Sequence, residues 1–471
     1  MKFSSLLLTC AALLGQAGTA ANADWLTNRF NPQRTGCIDD RPVPGAPRVL
    51  WVYESQDHFI ASPVIGEALY VSGLAGMGTG EFYALSLAPA AAPRELWAKK
   101  PPYLKLPVVC APAVAEGRLV FGDGMHQTDG ATLYCLKADN GTPLWQLPAP
   151  GALVHLEGSP AIADGRVYIG GGAAGVLCVD LNRVTLDGKE QDSAAIQAAI
   201  EARWKQLMAR YEADRKKDPD FAIPPSENDL PKPAPIKLWQ AGQNLWHVDA
   251  AVAVVEGNVL VASAKLDAAD NFAGDRALFC LDAKTGNVKW RCPLDLNPWA
   301  GPSVIGKTVL VGCSSIRFDP KVIPQGKGQV AAISLDTGKI IWKKDVAGGV
   351  VSPVTAAGNL AIFTATDGKV RAFAIADGQE KWAFDAEAPF FAGCAVGGNV
   401  VYVADLRAVV HAVSAEGKEL WKLNLASDPA VKAPGMVFGS PALAGGKLYV
   451  ATCNLESGPN QTKTVVVCIG Q

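Results

Sequence analysis

Leu278–Trp290 reads LFCLDAKTGNVKW: an apolar strand, a turn centred on Lys284-Thr285-Gly286, and a second strand closing on Trp290. The pattern recurs as LYCLKADNGTPLW ending at Trp145, VAAISLDTGKIIW at Trp342, VRAFAIADGQEKW at Trp382 and VVHAVSAEGKELW at Trp421. In all five a glycine stands four residues before the tryptophan (Gly141, Gly286, Gly338, Gly378 and Gly417). A tight hairpin often needs a positive φ at one turn position, which glycine adopts without steric cost. The tryptophan then offers a large flat face to a neighbouring sheet. A repeat of this length decides the architecture before any other feature is read.

Two columns of residues count the repeats. The tryptophan column runs through Trp51, Trp97, Trp145, Trp239, Trp290, Trp342, Trp382 and Trp421, at spacings of 39 to 52 residues with one of 94. The second is a small-residue step, most often followed by proline, ahead of an alternating apolar strand. It stands at Ser62, Ala111, Ser159, Ala251, Gly301, Ser352, Gly393 and Ser440. Each column has eight members. A unit is therefore four strands: an inner strand A after the small-residue step, an alternating strand B, and the hairpin arms C and D. One such sheet cannot bury both faces, but eight arranged radially can. The expectation is an all-β, eight-bladed propeller of four-stranded antiparallel blades. Residues 436–469 supply A, B and C and stop before any tryptophan strand, so the N-terminal Trp51 strand should complete the last blade and close the ring.

The long spacing holds an insertion, residues 190–235, within blade 3. Ile196, Ile200, Trp204, Leu207 and Tyr211 form a helical apolar stripe, with Ser193 as N-cap and a Pro-rich return after Pro219. Two readings stand for it, a helix docked on the propeller and a helix that binds a partner. Ahead of the propeller, which spans 48–471, residues 24–47 read as a polar, Pro-rich lead-in. Met1–Ala23 reads as a secretory leader: Lys2, the apolar run Leu6–Leu14, and Ala21-Asn22-Ala23 as the cleavage site. A periplasmic or secreted chain cleaved after Ala23 is expected. The apolar run is too short to span a bilayer, and Cys10 lies inside it without a lipobox.

Without that leader the chain carries 42 basic against 45 acidic residues, which gives no electrostatic case for nucleic acid. Ten cysteines remain. Cys135, Cys178, Cys280 and Cys468 share one repeat position with Ala84, Ala332 and Ala372, so the column asks for a small buried residue and the thiols should be free. Cys280 and Cys292, on opposite arms of one hairpin, are the pair placed to bridge. His411 reads as a packed residue of the small-residue column.

Histidine is scarce, with five residues, and three share a column: His58, His155 and His247 each stand four residues before the small-residue step, followed by Asn297 in the next unit. Two residues on, on the same side of the strand, come Glu157 and Asp249. Strand A is innermost, so this set should sit at the channel mouth, on the face carrying the B–C loops. Those loops are long at 73–80, 122–130, 266–275, 314–328 and 454–461, and they enlarge the face where a propeller places its ligand or partner. Two readings of the column remain open. His58, His155 and His247 hold a transition ion with the carboxylates and Asn297 beside them. Alternatively, histidines and acids satisfy one another at a solvated mouth. Trp299 could floor a pocket for a flat ligand. Asp267, Asp270 and Asp275 share a loop without the EF-hand spacing.

An eightfold array of hydrophobic–Asp/Thr–Gly–x–x–x–Trp hairpins with Ser-Pro inner strands resembles the quinoprotein-like, or PQQ-like, β-propeller family. Its members include PQQ-dependent alcohol dehydrogenases and the outer-membrane assembly lipoprotein BamB. The resemblance implies either of two functions on one fold: a binding or assembly scaffold of the cell envelope, or an oxidoreductase using PQQ with calcium. The dehydrogenases have a vicinal disulfide over the quinone, and this chain has no adjacent cysteines and no CxxCH haem motif. The expectation is a non-catalytic, monomeric scaffold without a cofactor, binding an envelope protein or a small ligand on the B–C loop face. The alternative is a quinoprotein-type or metal-dependent enzyme on the same face.

Overall fold

The computed structural model describes residues 25–38, 45, 47–75, 78–88, 94–126, 128–266, 274–433, 435–455 and 463–471. The leader, and Asp267 and Asp270 of the acidic loop, lie outside the described residues. The chain forms eight small antiparallel sheets arranged as the blades of a propeller. Blade 1, for example, runs from Val64–Ile65 at the axis through Leu69–Leu74 and Gly80–Leu85 to Glu95–Lys99 at the rim. Blade 8 takes its inner three strands from the C-terminus and its rim strand, Arg48–Ser55, from the N-terminus. Trp51 pairs there with Cys468, and the ring has no open seam.

The tryptophan and glycine columns meet between blades. The indole nitrogen of Trp145, Trp239, Trp290, Trp342 and Trp382 donates to a backbone carbonyl of the following blade: Leu181, Ala283, Leu335, Ile375 and Ala415. For four of these the same indole lies on that blade's turn glycine. A Cβ would stand 2.7 Å from the nearest Trp239 atom at Gly286, 2.6 Å from Trp290 at Gly338, 2.7 Å from Trp342 at Gly378 and 2.8 Å from Trp382 at Gly417. The glycine therefore serves two needs, the turn and the neighbour's ring. The cysteine–alanine column faces the same tryptophan within its own sheet, as in Cys280↔Trp290 and Ala332↔Trp342. In blade 7 the residue opposite Trp421 is Ala412, which corrects the placement of His411 in that column. His411 alternates to the other face, 3.3 Å from Asp405 and 3.4 Å from Glu419. All ten cysteines among the described residues are buried and unbridged, Cys280 and Cys292 included.

The lead-in is structural. Residues 25–38 run around the channel and pair with successive inner strands: Trp25 with Ile65, Thr27 with Ala113, and Cys37 with Val396. The carbonyls of Pro32, Gln33 and Thr35 accept from Val254, Val304 and Ala356 of blades 4, 5 and 6. Arg34, wholly buried, donates to the carbonyls of Val252, Ser159, Pro160 and Asn28 and to the Thr27 hydroxyl. Arg29, equally buried, reaches the Cys394 carbonyl and the Thr355 hydroxyl in blades 7 and 6. Helix α1 (Ser193–Lys217) belongs to the insertion. It is capped by Asp192 rather than Ser193, the Asp192 carboxylate accepting from the Ala194 amide at 2.7 Å. Ile196 and Ile200 pack with Leu230 onto Trp145 and Val184 of blades 2 and 3, whereas Trp204 is partly exposed. No helix among the described residues is long and apolar enough to cross a membrane.

Three substitutions test these devices. Gly338 has φ +68° against Trp290, whereas Gly306 has φ +52° with open space around its Cβ position. Gly306→Ala should cost about 1 kcal/mol from backbone strain, and Gly338→Ala about 1–3 kcal/mol more from overpacking on the indole. Denaturant midpoints of the two variants give the difference. Arg34→Ala leaves buried carbonyls without a donor and should lower stability by about 3 kcal/mol or more in the same assay.

Candidate functional site

The segments leading into the inner strands of blades 3 and 4, Ala161–Ala163 and Ala253–Val255, carry His155-Leu156-Glu157 and His247-Val248-Asp249. Alternation puts each histidine and its acid on one side of the chain. The two stretches touch because Gly158 lets the backbones close, a Cβ there lying 2.7 Å from the Ala250 carbonyl. Asp249 thereby sits between the imidazoles of both blades. His155 Nε2 is 2.8 Å from its Oδ1, and His247 Nε2 is 2.9 Å from the same oxygen. Both imidazoles are fully buried. Glu157 stands 4.0 Å from His155 Nε2.

Two B–C loops reach over this pair. The loop of blade 2 carries His126, whose ring centre is 5.9 Å from that of His155 and 6.3 Å from that of His247. The loop of blade 5 carries Arg317, which donates to His126 Nε2 and lies over the Trp299 ring, 5.1 Å from its centre. One ligating atom from each of His126, His155, His247 and Asp249 lies within 4.8 Å of the other three.

These groups form one wall of a funnel of about 410 Å³ around the axis. His126, Glu157, Asp249, Arg317 and Asp319 supply the polar arc, with Trp299 beside them. Ile60, Val351, Phe318, Phe391, Phe438 and Leu455 supply an apolar arc. Phe391 makes edge contacts with both Phe318 and Phe438, at 5.6 and 4.9 Å between ring centres. Phe318 and Leu455 are 45% and 43% exposed, so the apolar arc continues onto the open face.

Electrostatics follow from the crowding. Burial raises the Asp249 carboxyl, but the charges of His247 and then His155 outweigh it and hold it well below the usual carboxylate range. Burial lowers His155, yet Asp249's charge and hydrogen bond carry it above the ordinary histidine value. Glu157 is pushed up to about 7 by burial and then by Asp249. His126 is lowered by burial and then by Arg317.

The structure thus brings together His155, Glu157, His247, Asp249 and Trp299 of the residues singled out in the sequence. His58 stands apart: its Nδ1 accepts from the Asn454 amide at 3.0 Å, tying blade 8 to blade 1. Asn297 braces a loop, bonded to Lys265 and Arg276. His126 and Arg317 belong to the site but lie in irregular loops off the repeat column. The scarcity of histidine was the one available signal for His126; nothing in the sequence marked Arg317.

Comparison with known proteins identifies the family. The sequence model of the family described as outer membrane protein assembly factor BamB matches residues 48–208 and 299–456. BamB of Burkholderia pseudomallei is 34% identical over 104 residues, 22% of this chain and 24% of that protein. A polyvinylalcohol dehydrogenase of a Pseudomonas species is 25% identical over 375 residues, 67% of this chain and 55% of that protein. The matches thus span about a quarter and about half the length of these curated relatives. Among solved structures, BamB from Moraxella catarrhalis aligns over 90% of this chain and 98% of its own at 15% identity, TM-score 0.56. A europium-containing methanol dehydrogenase aligns over 95% and 98% at 14% identity, TM-score 0.62. At these identities the structural likeness speaks for the fold alone.

The balance at His155 is open to test. In Asp249→Asn the opposing charge is gone while burial remains, so the His155 imidazole should titrate lower than in the unsubstituted chain. Histidine ring resonances followed by NMR through a pH titration read this shift; a value unchanged by the substitution would contradict the assigned cause.

Proposed function

The chain belongs to the PQQ-like propeller family described by BamB, and on that premise we propose that it acts in the cell envelope as a scaffold that grips a partner protein at the funnel mouth. The observation that carries this reading is the apolar arc. Phe318 and Leu455 present aromatic and aliphatic surface to solvent from the B–C loops of blades 5 and 8, above a recess lined by the buried Phe391 and Phe438. Covering what remains exposed of Phe318 and Leu455 with an apolar segment contributes about 1 kcal/mol per side chain, and aromatic anchors of this kind dominate binding energy. The polar arc fixes which segment enters.

The quinone reading has less support, because these residues do not fit the cofactor. No cysteine is among the residues lining the funnel. Its donors are rich in imidazole, whereas calcium takes oxygen ligands. A tricarboxylate quinone would face Glu157, Asp249 and Asp319 with Arg317 as the cation of the lining. The match to a polyvinylalcohol dehydrogenase over 67% of the chain keeps an oxidoreductase as the second reading.

A photoreactive residue in place of Phe318, expressed in the native envelope, should cross-link to one discrete envelope protein. The same probe in place of the exposed rim residue Ile341 should not. Phe438→Asp with Leu455→Asp should remove the adduct. Dye-linked alcohol oxidation on adding PQQ and calcium, with no discrete adduct at Phe318, would overturn the scaffold reading in favour of the enzyme.

A further inference from the structure

We propose that His126, His155, His247 and Asp249 bind one divalent transition ion of the imidazole-preferring, zinc-like class in the funnel wall between blades 3 and 4. The proposal stands on these side chains and does not rest on the scaffold reading.

Geometry comes first. Donors about 2.0–2.1 Å from a tetrahedral ion stand about 3.3 Å from each other, which places the centres of ligating imidazoles about 5 Å apart. The three ring centres here are 5.2, 5.9 and 6.3 Å apart, with interplanar angles of 66°, 74° and 89°. The triangle needs to tighten by about 1 Å at its long sides to meet the tetrahedral value. His126 sits on a loop that can supply that movement, while His155 and His247 are fixed in the blades.

Hydrogen bonding points the same way. Arg317 has only donors, so the His126 Nε2 it contacts is unprotonated and accepts; an ion taking that lone pair would displace Arg317 from it. The Nε2 atoms of His155 and His247 converge on Asp249, which occupies the position between them that a cation would share. On the same histidines and the adjoining Glu157, Nδ1 of His126, Nδ1 of His155 and Oε1 of Glu157 are buried without a hydrogen-bond partner among the described residues. A cluster of such atoms is the mark of an ion or ordered water that the protein groups themselves do not replace. Mutual pairing of histidines and acids, the competing account, satisfies Asp249 but leaves those three atoms unexplained. Gly172 adds a steric term: a Cβ there would press to 3.0 Å on His155 Nε2, so its hydrogen keeps the ligating edge of the ring clear. Three imidazoles and one carboxylate suit zinc or its neighbours over calcium or magnesium.

Zinc is the probe, with the untagged chain purified without chelator. About one zinc per chain should be found by elemental analysis, and after stripping, added zinc should raise the melting temperature. Cobalt(II) in its place should give a tetrahedral-type visible spectrum. His126→Ala, a half-buried loop position, should keep the native circular dichroism and lose zinc affinity by about 100-fold or more. His155→Gln with His247→Gln should abolish binding, and His58→Ala should bind as the unsubstituted chain does. Zinc at background in the unsubstituted chain, with no shift in melting temperature on adding it, would overturn the proposal. Unchanged zinc affinity in a folded His126→Ala would overturn the assigned ligand set.

Discussion

The contact on which this ring depends is the indole of one blade lying on the turn glycine of the next. It joins two requirements in a single residue pair. The turn must take a positive φ, and the neighbour's ring must come within 2.6–2.8 Å of where a side chain would begin. Each indole also donates to the carbonyl of the strand leading into that turn, so the rim of the ring is hydrogen-bonded as well as packed. A blade that lost this contact would expose a tryptophan face and leave a carbonyl unpaired, which is why the pattern survives where the rest of the hairpin sequence drifts.

At the axis the contacts are of another kind: inner strands of adjacent blades pack together, and the hydroxyls of Ser159, Ser440 and Ser62 accept from the amides of Ala111, Gly393 and Ser440 in the neighbouring blade. The N-terminal segment adds to this joining. Its carbonyls and amides add a partial strand to blade after blade, and Arg29 and Arg34 distribute donors among inner carbonyls of blades 3, 4 and 7 and the Thr355 hydroxyl of blade 6. A guanidinium is suited to this because it offers five donors in a rigid plane and no acceptor. The ring is thus held at the rim by a repeated device, and at the centre by serine contacts between blades together with a segment that occurs once.

That difference explains what could be read from the sequence. Repetition made the blades, their number, the closing strand and the insertion legible, because eight noisy copies define a column better than one. The lead-in had no second copy, so RFNPQRTG looked like a polar linker although its arginines are among the most buried residues. The site divided along the same line. His155, Glu157, His247 and Asp249 sit at matching repeat positions just ahead of the inner strands and were found together. His126 and Arg317 come from loops whose paths depend on tertiary contacts such as the Arg317–Trp299 stack. His58 shared the column but not the chemistry, because its blade faces Asn454 instead of another acid.

The eightfold frame also constrains where function can lie. Equivalent positions in a propeller are spread around the axis, so a repeated residue meets its own copy only between adjacent blades at the narrow mouth. Blades 3 and 4 alone carry the histidine–acid device twice in succession, and Gly158 draws those two copies close enough for one carboxylate to serve both imidazoles. The B–C loops of blades 2 and 5, the flanking units, then reach over that seam with His126 and Arg317. On the far side the mouth is apolar, from Phe391 to Leu455. A nearly symmetric scaffold has in this way acquired one polar seam opposite one apolar wall, and a ligand entering the funnel is oriented by that asymmetry rather than by the fold.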